Sequence, residues 1–143
     1  MSQVEQAAAG QKADELIATE VAVQDRMWGG ANERADSTEN QMIRAAQAQL
    51  ELTIAIISGD YPQRAVAHAL LGYYPEDWDG LRSYGSNVAN LVVAAAFIRS
   101  EIKRRLLLGE DTTRTKRGEP YTTATPYVSS EEALAETGPI NGG

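Results

Sequence analysis

Apolar residues recur every three or four positions along most of this chain, the spacing of amphipathic helices. Between Lys12 and Trp28, Leu16, Glu20, Val23 and Met27 share one helical face, with Ile17 and Val21 beside it. Paired glycines, Gly29-Gly30, are expected to end this helix, because glycine takes the left-handed C-cap conformation without a Cβ clash. After the charged stretch at 31–36, Asp36 or Ser37 is placed to cap a second helix, with Glu39 three residues beyond Asp36. Met42, Ile43, Ala46, Leu50, Thr53, Ile54 and Ile57 then follow at helical spacing, and Gly59 closes the segment.

Pro62 is placed to open a short helix that runs through Leu71 and ends at Gly72. An aromatic and acidic linker follows at 72–80. The longest periodic run goes from Leu81 to Leu108 through Tyr84, Val88, Leu91, Val92, Ala95, Ile98, Ile102 and Leu106. At 1.5 Å per residue it would reach roughly 40 Å. Past Gly109 prolines and threonines gather, and only SSEEALAE reads as a helix, with Ser129 and Glu132 set as a capping box. The pattern predicts an all-α fold: a small bundle of three main helices plus short ones over 12–108, then an extended Pro/Thr-rich tail over 109–143. Residues 1–11 are expected to fray.

Composition narrows the classes. Of the 143 residues 43% are hydrophobic, but one is phenylalanine, so a core must come from close helix contact at alanines. Thirteen basic residues against 20 acidic ones leave a net charge of −7, which disfavours nonspecific nucleic-acid binding. Zero cysteines exclude disulfides, thiol catalysis and Cys-based zinc sites, and one histidine excludes a multi-His metal site. The N-terminal stretch lacks a basic segment followed by an apolar core, and the most apolar run, Val88 to Ile98, is too short to span a bilayer. These features point to a cytoplasmic chain without membrane contact. A long apolar helix in a three-helix core leaves surface uncovered, which predicts a homo-oligomer, a dimer first.

Four groups of side chains carry candidate chemistry. Glu20, Asp25 and Glu51, with Glu33, Asp36 and Glu39 nearby in sequence, are carboxylates of the kind magnesium prefers; the plainer reading is a solvated face with a capping acid. Asn87 and Asn90, three residues apart, form either an interhelical polar latch or a pair for the polar edge of a ligand. Tyr73, Tyr74, Trp78 and Tyr84 surround Arg82, and such a set either stacks on a nucleobase or peptide or packs a loop over the bundle end. Two basic clusters, Lys103-Arg104-Arg105 and 114–117, are readable as phosphate contacts or as ordinary surface. His68 reads as structural. No phosphate-binding loop or nucleophile elbow occurs.

Glu20, Gln24-Asp25-Arg26, Trp28-Gly29, Asn32-Glu33, Asp36 and Ala45-Ala46 resemble a pattern in small uncharacterised phage and prophage helical proteins. Tyr74-Pro75, Asp77-Trp78, Arg82, Leu91 to Ala96, Glu101-Ile102 and Arg104 continue it, so the likeness covers roughly residues 16–106. Val21 stands where that family carries arginine, and Asn32-Glu33 replaces a His-Asp turn. A remoter resemblance is to MazG-type nucleoside triphosphate pyrophosphohydrolases, which hold magnesium between acidic helices. There Asn87-x-x-Asn90 occupies the place of E-x-x-D, which implies a lost metal site and a surviving helical pocket.

Three readings follow. The first is a noncatalytic phage-type protein, without a cofactor, that binds a nucleotide-like ligand or a host protein; its ligand residues would be Tyr74, Trp78, Arg82, Asn87 and Asn90. The second is a divergent pyrophosphohydrolase with magnesium on Glu20, Asp25 and Glu51. The third is a structural or assembly protein.

Overall fold

The structure is a computed structural model that describes residues 1–28, 40–76, 78, 80–110 and 128–137. The described residues are all-α, with helices α1 (Gln3–Trp28), α2 (Gln41–Ile57), α3 (Pro62–Gly72), α4 (Asn87–Leu107) and α5 (Ser130–Thr137). They fall into two units, Met1–Gly109 and Glu110–Gly143. In the first, α4 packs against both α1 and α2, and α3 packs against α2.

Local signals account for most helix ends. Pro62 stands in the first turn of α3, where its missing N–H costs nothing. At the end of α2 the chain turns through Gly59 at φ +101°, a conformation open to glycine. Ser129 Oγ accepts from the Glu132 amide at 3.1 Å, the expected cap of α5. The proposed stops and caps at Gly29-Gly30, Asp36, Ser37 and Glu39, and the basic cluster at 114–117, lie outside the described residues. Among those that are described, α2 starts after Asn40, whose φ of 57° is left-handed.

Two elements differ from expectation. α1 begins at Gln3 rather than Lys12, although every residue from Gln3 to Glu15 is exposed. Ala7-Ala8-Ala9 favours helix by propensity, and the Glu5 amide donates to Ser2 Oγ at 3.1 Å. α4 begins at Asn87 rather than Leu81. Ser86 is its N-cap and accepts from the Ala89 amide at 3.0 Å, while Gly85 sits at φ +93° and breaks the helix before it.

The core is built on small residues. Ala45, Ala48, Ala65, Ala69, Ala94 and Ala96 are all buried, which lets the helices approach closely. The larger members of the cluster are Met42, Leu52, Tyr74, Val93 and Phe97. On α1 the buried positions are Val21 and Gln24, and Met27, read from the pattern as core, is exposed. α2 likewise turns Met42, Ala45, Gln49 and Leu52 inward and leaves Ile43, Ile54 and Ile57 at the surface.

Candidate functional site

A buried amide centre locks the start of α4. Asn90 Oδ1 accepts from the Tyr84 amide at 2.8 Å and from Gln49 Nε2 at 3.1 Å, and its own Nδ2 donates to Ser83 Oγ at 3.3 Å. Gln49 Nε2 also donates to the Arg82 carbonyl at 3.1 Å. The sequence pair therefore divides: Asn90 is an interior latch that holds 82–84 onto α2, and Asn87 is exposed. Both line an open cleft of about 610 Å³ with Ser83, Gly85, Ser86, Ile56 and Pro62.

Tyr74 and Trp78 lie elsewhere. Tyr74 is buried, its ring 6.3 Å from that of Trp78, which in turn lies 6.0 Å from Phe97. They cover the α2–α4 core and do not line the asparagine cleft. Arg82 is exposed; its Nε donates to the Gly80 carbonyl at 3.1 Å, and its guanidinium carbon lies 6.0 Å from the centre of the Tyr84 ring. The five residues nominated as one ligand set thus do not line one cleft.

Glu20 is half-buried on α1, and desolvation raises its carboxyl above the usual range, opposed by a hydrogen bond from Gln24. Asp25 is on the same helix, and Glu51 is half-buried on α2. Among the described residues no three His, Asp or Glu side chains gather as a metal-ligand group.

A groove runs between α1 and α4. Its walls are Ala9, Ala13, Leu16 and Ile17 against Val88, Leu91, Val92 and Ala95, with Lys12 at its edge, around about 470 Å³. Past it α4 keeps an apolar outer line. At 100° per residue Leu91, Ile98, Ile102 and Leu106 fall opposite the buried face of Val93, Phe97, Ser100 and Arg104. Ile98, Ile102 and Leu106 are 42%, 55% and 53% exposed, unusual for large aliphatics on one helix line.

Sequence reasoning missed a buried ion group. Glu101 Oε1 and Oε2 accept from Arg104 Nε at 2.7 Å and Nη2 at 2.8 Å, and Oε2 also accepts from Arg105 Nε at 2.9 Å. Two of the three residues of the first basic cluster are therefore paired, and Arg104 is buried. The Arg104 hydrogen bond is the main cause that holds the Glu101 carboxyl below its usual value, against desolvation. The available signal was Glu at i with Arg at i+3 and i+4 on a core-facing register.

Compared with protein families, with curated proteins and with solved structures, the chain matches none.

Proposed function

We propose that this chain is a noncatalytic binding protein that works through the outward apolar face of α4, with a second copy of itself as the occupant. The line Ile98, Ile102 and Leu106 carries the proposal, because it lies opposite the core and meets water in a single chain. Arg99 and Lys103, both exposed, border that line. The first half of α1 presents exposed Glu5, Asp14 and Glu15 beside a row of alanines, so one copy's α1 complements the other's α4 in charge. An isolated helix of that length is marginal in water, and a partner surface stabilises it.

The resemblance of its sequence to phage helical proteins supports a phage setting for such an assembly, in which a dimer would offer paired surfaces to a host or phage protein. The test is sedimentation velocity across about 1 to 100 µM. A dimer that Ile98→Asp with Ile102→Asp converts to a folded monomer supports the reading, and so does a dissociation constant that rises with salt. A wild-type monomer throughout that range overturns it.

A further inference from the structure

The α1–α4 groove does not stay apolar to its end. Toward the start of α4 its lining changes to Thr19, Glu20, Tyr84 and Ser86, around a further hollow of about 400 Å³. Both hollows share Leu16, Val88 and Val92, so they are one continuous trough with apolar walls and a carboxylate at one end. Their size is that of small-molecule sites.

At the polar end the Arg82 guanidinium carbon lies 6.0 Å from the centre of the Tyr84 ring, with its Nε held by the Gly80 carbonyl. Among the described residues no basic side chain pairs with Glu20, which is part-buried. One helical turn on, Gln24 is wholly buried; its Nε2 donates to the Val93 carbonyl at 3.4 Å, and its Oε1 has no hydrogen-bond partner. A part-buried carboxylate with no ion pair, at the end of a trough with apolar walls, favours a donor-rich, positively charged group. The Tyr84 ring adds an aromatic surface at the same end.

We propose that this trough binds a small organic ammonium, a primary amine with an apolar chain, its head on Glu20 beside Tyr84 and its chain along Leu16, Val88 and Leu91. Competing chemistries fit less well. A fatty acid with its head at this end would place a second carboxylate against Glu20, and a nucleotide or sugar would leave the apolar walls without contact. Lys12 at the far, apolar part of the groove repels a second ammonium, so a monoamine is selected over a diamine of matching length.

Titration calorimetry with octylamine, 1-octanol and octanoate at neutral pH tests the assignment on the full chain. Octylamine should bind saturably, one per chain, at least about tenfold tighter than octanol, a step worth 1.4 kcal/mol, with octanoate weakest. Glu20→Gln, a neutral isostere, should remove the preference for amine and leave octanol unchanged. Leu16→Ala should weaken amine and alcohol alike, which reports the wall separately from the charge. Equal affinity for amine and alcohol, or a Glu20→Gln protein that still prefers amine, overturns the proposal. So does a lysine-bearing apolar peptide that binds in a Glu20-dependent way while octylamine does not, since the trough would then serve protein recognition. Amine binding is separate from self-association: the Ile98→Asp protein should retain it even if the dimer reading fails.

Discussion

Asn90 satisfies two donors with one oxygen and supplies a third bond from its amide, all within a buried seam. Asn90→Ala would leave the Tyr84 N–H and one of the two Gln49 Nε2 hydrogens without an acceptor, and a buried unpaired donor costs about 1–3 kcal/mol. We expect urea denaturation to show about 2–4 kcal/mol lost for Asn90→Ala and within about 0.5 kcal/mol of wild type for the exposed Asn87→Ala. Equal effects would mean that Asn90 is no latch. The spacing made both asparagines candidates, but helical periodicity gives only their angular relation. Which one meets Gln49 depends on where α4 starts, a matter settled by Gly85 and Ser86.

Glu20 and Glu101 should give opposite pH signatures. The Glu101 carboxyl is lowered, chiefly by its Arg104 hydrogen bond, so the unfolded chain takes up protons first as pH falls. Its stabilisation is complete above the ordinary value of 4.5 and disappears as pH drops through the lowered one. The Glu20 carboxyl is raised by desolvation, so its ionisation weakens the fold as pH climbs from 4.5 through the raised value. At pH near 7, Glu101→Gln should lower the thermal midpoint, with about 1–3 kcal/mol of stability lost, because it removes the carboxylate charge to which Arg104 and Arg105 donate. Glu20→Gln should raise the midpoint there and have little effect near pH 4. A Glu20→Gln midpoint below wild type at neutral pH would contradict the desolvation account.

At the scale of the element, the alanine seam fixes how close α2 and α4 come. Ala94 is 1% exposed and Ala48 0%, so neither has room for a larger side chain. Ala94→Leu should cost at least about 1–3 kcal/mol by overpacking, while Ala94→Gly costs about 1 kcal/mol through helix propensity alone. Denaturant midpoints of the two variants give the order, and a neutral Ala94→Leu would show a seam looser than described. The helices themselves were legible from spacing; their orientation was not. Met27, Ile54 and Ile57 look like core by pattern, yet they are exposed while Gln24 and Gln49 are inside. Where alanine supplies the contact surface, hydrophobic size no longer marks the inner face. Polar side chains with specific partners take inner positions, and the large aliphatics are left for the outside. The same inversion makes the outer line of α4 readable as a working surface only once the inner face is known.

The molecule as a whole divides at Gly109, and the hydrophobic core cluster, from Met42 to Phe97, lies wholly within Met1–Gly109. Sequence composition shows that division plainly, because periodic apolar spacing gives way to proline and threonine there. Leu134 on α5 is 72% exposed, and Glu131 and Glu132 beside it are exposed as well, so this short helix buries little within its own unit. If the bundle owes its stability to the α2–α4 seam, the Asn90 latch and the Glu101 ion group, then a chain cut after Gly109 retains every one of them. We expect that shortened chain to unfold in one cooperative transition, with a midpoint within about 4 °C of the full chain, equivalent to less than about 1 kcal/mol. It should also keep the self-association of the parent, because Ile98, Ile102, Leu106 and the acidic half of α1 all remain. Circular dichroism melting paired with sedimentation velocity reads both properties on one sample. A midpoint far below the full chain would move part of the stabilising contact to residues past Gly109. A stable but monomeric truncation, from a dimeric parent, would instead assign the occupant of the α4 face to those residues and not to a second copy's α1.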